Sequence, residues 1–245
     1  MLTSTRHNDG VNVHLAMAAA SALIASAFAA CTLERWLDRR KRHEAAWTVA
    51  LFLFAAASIA LWGGVTFGWN DVWFRLFYLF GAIVNVPYLA LGTVELLGGP
   101  KLGRRVAAGV HAFAAFAAGV VLVAPMHGTI DRSRLPQGSD VFGPLPRILA
   151  AAGSGVAALV IVGGAVWSAA RLAKRTSTRR LAVANGFIAV GTIVLGAGGI
   201  LNSVVDEMDG FAISLVVGIS VIFAGFLLTT PSRRPALTMV DARAS

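Results

Sequence analysis

The chain has 245 residues, 57% of them hydrophobic and 13% charged. Soluble domains carry about 25% charged residues, so water is not the main solvent of this one. Its formal charge of +9 fits basic loops beside a membrane better than nucleic-acid binding, because aromatic and basic side chains do not interleave on a polar surface. The single cysteine, Cys31, excludes an internal disulfide and a cysteine-based metal cluster.

Residues 1–12 are polar, and Arg6 is their one fixed positive charge. The first apolar run is Val13–Leu33, rich in Ala and Ser. Phe28-Ala29-Ala30-Cys31 has the look of a lipoprotein cleavage box, but the flanking charges Arg35, Arg39, Arg40, Lys41 and Arg42 lie after the run. A signal peptide carries them before it. The run also reaches the ~20 residues that cross a bilayer, so it reads as an uncleaved spanning helix. Further spans are expected at Ala45–Phe67, Trp73–Leu97, Val106–Pro125, Leu145–Leu172, Leu181–Val205 and Phe211–Thr230. Gly98-Gly99-Pro100, Pro125 and Pro231 punctuate the joints, and the long joint 126–144 holds enough Gly and Pro to read as an irregular surface loop. Trp47, Trp62, Trp69, Trp73 and Trp167 fall at or near helix ends, where indoles anchor at the interface. The expected fold is an all-α integral membrane protein, one domain over 1–245, with seven transmembrane helices and no internal repeat.

Orientation follows from charge. The joints at 34–44, 98–105 and 171–180, with the tail after Pro231, hold sixteen of the twenty-one Lys and Arg residues. Such an excess marks the cytoplasmic side. The N-terminus is therefore expected outside and the C-terminus inside, in a bacterial inner (plasma) membrane.

The third span carries a polar seam. Arg75, Tyr78, Gly81, Asn85, Tyr88, Gly92 and Glu95 follow one another in steps of three or four, which keeps them on one side of a helix turning every ~3.6 residues. Pro87 removes the amide that would bond the carbonyl of Ile83. The sixth span has a similar series in Asn185, Thr192, Gly196, Gly199, Asn202 or Ser203, and Asp206. Two facing seams would line a polar cavity with Arg75 near Asp206 at its mouth. Arg75, Tyr78, Asn85, Tyr88, Thr192, Asn202 and Asp206 are then the candidate ligand-binding residues, for a small neutral or lipidic molecule. The competing reading is that Asn, Thr, Ser and Gly only glue helices together. Glu95 and His111 form a second pair at similar depth, either a proton relay or a Glu reaching Lys101 or Arg104 in water.

Seven helices with the N-terminus outside resemble the arrangement of microbial rhodopsins. Lys41, Lys101 and Lys174 all lie in joints, and Phe211–Thr230 has no lysine, so a covalent retinal pigment is excluded. G-protein-coupled receptors share the topology, but their helix motifs are absent. The segment WFRLFYLFGAIVNVPYLALGTVELL resembles one helix of uncharacterised multi-pass membrane proteins of high-GC actinobacteria, and that resemblance implies no activity. His14 and His127 fall at the outer ends of two helices and His111 is alone at its depth, so paired haem ligation has no good candidate. Phosphate loops, nucleophile elbows, zinc motifs and paired intramembrane carboxylates are missing. No cofactor or metal is expected. The leading reading is a membrane protein binding or moving a small molecule between the third and sixth helices. An accessory subunit that binds another membrane protein is the alternative, and a membrane enzyme or redox carrier comes third.

Overall fold

The computed structural model describes the backbone of residues 2–127, 129–173, 179–205 and 208–229; side chains are described from residue 15 onward, except at 128, 169, 172–179, 181–182, 185, 200–209 and 229–245. The fold is all-helical, and among the described residues the nearest thing to a strand is one isolated bridge between Met126 and Phe142.

Long apolar stretches become helices because lipid cannot satisfy backbone N–H and C=O groups, so each segment must satisfy its own. The helices are α1 (Leu2–Arg39), α2 (Arg42–Phe67), α3 (Asp71–Leu97), α4 (Gly99–Val123), α5 (Pro144–Ala173), α6 (Arg179–Val205) and α7 (Met208–Thr229), with a single turn at Gly138–Val141. Among the described residues six are long and apolar enough to cross a membrane; in α6 the described apolar stretch is the shorter Gly186–Gly199. Asn70 caps α3 by accepting from the amides of Val72 and Trp73, both at 3.0 Å, the usual service of an Asn before the first turn. The α1–α2 joint is so tight that Arg40 takes a left-handed φ of 51°.

Neighbouring helices close a ring in the order α1, α2, α3, α5, α6, α7 and back to α1, with α4 outside α3. α2 is the most buried span; in α4 and α5 only 11% of the most apolar stretch is buried, so these two present most of their surface to the surroundings. One core cluster joins α3 to α2, α4 and the long joint through Trp69, Phe74, Ile83 and Val121, and a second joins α1, α2 and α7 through Phe28, Leu51, Phe54 and Ile219.

Two expectations change here. The long joint is no simple surface loop. Leu135, Val141 and Phe142 are buried in the first core cluster, and the His127 amide donates to the Val141 carbonyl at 2.9 Å. Nor is Trp69 an interfacial anchor. Trp69 is 1% exposed and lies on Gly64, where an added Cβ would sit 2.7 Å from the indole. Trp47 covers Gly92 and donates to the Leu89 carbonyl at 3.3 Å. Glycine is needed at both positions because a ring occupies the place of its side chain.

Candidate functional site

The α3 seam is built around a break in the helix. Tyr78–Val84 winds as a π-helix, and the Asn85 amide donates to Phe80, five residues back. The α pattern resumes over Asn85–Leu97. Pro87 lies in that resumed α stretch, so the carbonyl short of its amide is that of Ile83. One residue earlier, the Ala82 carbonyl accepts from another helix: the Ser154 hydroxyl of α5, at 2.5 Å. Gly153 beside it lets α5 approach, since an added Cβ would stand 3.2 Å from the Ile83 carbonyl. π-helical turns inside α-helices recur at functional sites.

Most of the seam is engaged within the chain. Arg75 donates to the carbonyls of Val121 and Ala124, the latter at 2.9 Å, and so closes the C-terminus of α4. Its guanidinium also lies 5.8 Å from the centre of the Phe142 ring. A cation there complements the negative end of the helix dipole. The Tyr78 ring packs against Phe74 and Phe142 with centroids 5.6 and 5.1 Å away, and against Gly138 of the long joint. Gly81 faces Ala57, and Glu95 packs on Gly103. Tyr88 meets His111 edge to face at 5.4 Å.

Asn85 differs from its neighbours. It is 4% exposed, and its Oδ1 has no donor among the described residues. A buried acceptor left without a donor costs about 1–3 kcal/mol, so such an atom calls for water, an ion or a ligand.

The facing-seam arrangement of the third and sixth helices is not the one the bundle adopts. α5 stands between α3 and α6, and α6 pairs with α7 through small residues. At Gly191 an added Cβ would lie 2.8 Å from the Gly218 carbonyl, and at Gly218 it would lie 3.1 Å from that of Gly191. Thr192 bonds back to the Ile188 carbonyl of its own helix at 2.8 Å. Asn185, Asn202, Ser203 and Asp206 lie outside the described side chains, as does His14. Glu95 and His111 share no hydrogen bond among the described residues. The exposed His111 ring bonds the Ala107 carbonyl one turn back, at 2.5 Å. Among the described residues no three His, Cys, Asp or Glu side chains gather as a metal group.

A group outside the seam is Glu44. It is 1% exposed, and its Oε1 lies 3.5 Å from Arg35 and 3.8 Å from Arg39, while its Oε2 has no donor among the described residues. Arg35 in turn lies over the Phe226 ring at 4.4 Å, so one carboxylate ties α1 to α2 and, through Arg35, to α7. Glu44 sits in a charged joint where nothing in the sequence marks it for burial; the tight turn at Arg40 brings it against α1.

Searches against family models, curated proteins and solved structures give no match for this chain.

If Arg75 serves mainly to cap α4, Arg75→Gln leaves two carbonyls short of a donor and lowers stability by about 1–3 kcal/mol. Unfolding in a denaturing-detergent titration checks this. A residue that served a ligand alone would leave the ligand-free midpoint unchanged.

Proposed function

We propose that the chain is a seven-span protein of a bacterial inner membrane that binds a small neutral or lipidic molecule through Asn85. The observation that carries the reading is the buried Asn85 Oδ1 with no donor among the described residues, set where α3 returns from the π to the α pattern. Such an acceptor selects a ligand carrying a hydroxyl, amine or amide N–H, because a purely apolar molecule would leave the desolvation cost uncompensated. Asn85 lies within one turn of Ala82 and Ile83, whose carbonyls face Ser154 and Gly153 of α5, and this supports a site on the α5 side of α3. α6 supplies the seventh span on the strength of its apolar sequence over Leu181–Val205. The position of the basic joints puts the N-terminus outside.

A second reading, an accessory subunit for another membrane protein, draws on the periphery. α4 and α5 expose Phe116, Leu122, Val123, Ile148, Val156 and Leu159. Lipid covers such a face as well as a protein does, so the Asn85 reading comes first.

Native mass spectrometry of gently extracted protein separates the two. A defined small added mass, lost in Asn85→Leu while the chain stays folded, is the expected result; a bare chain, or one carrying a second polypeptide, contradicts it. Orientation has its own check in a Cys31→Ala background. A cysteine at Ser139 is expected to react with an impermeant maleimide in intact cells, and one at Lys101 only after lysis. The reverse pattern would invert the topology.

A further inference from the structure

The α2–α3 turn and the long joint enclose an open groove of about 710 Å³, lined by Trp69, Asp71, Trp73, Met126, Ile130 and Arg132. Its walls are held locally. The Arg132 carbonyl accepts from the Trp69 amide at 3.1 Å, and its guanidinium donates to the Phe67 carbonyl at 3.4 Å. Gly68, at φ 84°, permits the turn between them. Trp73 lies on Gly63 and stacks on Phe67 with centroids 6.5 Å apart.

Two features describe an occupant. The groove carries both charges, Asp71 and Arg132, and neither makes an ion pair among the described residues. Asp131, the neighbouring acid, is committed elsewhere. It accepts from the Ser133 amide and hydroxyl at 2.9 and 2.6 Å and lies 3.5 Å from Arg134. The Ser133 bonds hold its carboxyl below the ordinary carboxylate range. The second feature is apolar continuity. Val72 also lines the groove and is 63% exposed, and Phe67, stacked on Trp73, is 60% exposed. Trp69 below keeps an indole N–H with no acceptor among the described residues.

We propose that this groove holds the head of a zwitterionic phospholipid, its phosphate on Arg132, its ammonium toward Asp71 and its acyl chains over Val72 and Phe67. An anionic lipid would satisfy Arg132 and leave Asp71 facing another negative charge. A soluble zwitterion would leave the apolar surface uncovered, and the groove lies at helix ends, where headgroups sit. The assignment is independent of Asn85.

The test places the full chain in nanodiscs of equal phosphatidylethanolamine and phosphatidylglycerol and counts retained lipids by native mass spectrometry. Wild type should retain the ethanolamine lipid roughly fivefold over the glycerol lipid, the ratio that one exposed ion pair supplies. Asp71→Asn, an exposed change that spares the fold, should return the ratio to that of the bilayer. Arg132→Gln should lower retention of both lipids. An unselective wild type overturns the proposal, and so does undiminished selectivity in Asp71→Asn. Displacement of the lipid by millimolar glycerophosphoethanolamine, a headgroup without chains, would overturn the lipid assignment in favour of a soluble ligand.

Discussion

The constraint on which this structure turns is that hydrocarbon offers no hydrogen bonds, so each backbone N–H and C=O inside it needs a partner within the protein. An uninterrupted helix meets that demand alone. α3 does not, because Pro87 lacks an amide and Tyr78–Val84 winds five residues to a bond. α5 comes to that break: its Ser154 hydroxyl reaches the Ala82 carbonyl and its Gly153 permits the approach. α3 in turn meets a deficit in α4 by bringing Arg75 to its last carbonyls. The two least buried spans are thus each joined to α3 by a polar bond. Among the buried side-chain atoms described for the α3 seam, Asn85 Oδ1 is the one left without a partner.

At the opposite end, charge does comparable work. Removing a carboxylate from water costs several kcal/mol unless cations and hydrogen bonds compensate it. Glu44 has two arginines beside one of its oxygens. The Arg35 guanidinium also lies against Phe226, which itself packs with Phe28 and Phe223. α1, α2 and α7 meet there over an ion cluster capped by rings. Such a cluster ranks poorly as a source of net stability, but it defines which helices adjoin.

Six of the seven expected spans are long, apolar helices among the described residues, legible in the sequence because length and hydropathy are local properties, as is the break at Pro87. Neighbour relations were not. Two helices with polar residues at helical spacing look complementary on paper, yet α6 uses its glycines to approach α7, and Gly191 against Gly218 is a pairing that spacing alone does not announce. Trp69 and Trp47 read as interfacial from their position near helix ends; the glycines that seat them, Gly64 and Gly92, are close to them only after folding. Glu44 was hidden for the same reason. Its burial depends on the two-residue turn at Arg40 and Lys41, not on any pattern in its own neighbourhood. The seam residues themselves were identifiable, but their spacing could not distinguish Arg75, occupied by α4, from Asn85, whose Oδ1 is left over.

The most direct test of the central claim is a double-mutant cycle between Pro87→Ala and Ser154→Ala, read as unfolding free energy in detergent. If Ser154 serves the break that Pro87 leaves in α3, Ser154→Ala costs about 1–3 kcal/mol in the parent chain. In the Pro87→Ala background, where an amide is restored, it should cost close to nothing. An equal cost in both backgrounds would contradict the account, because Ser154 would then stabilise the bundle for reasons unconnected with the break in α3.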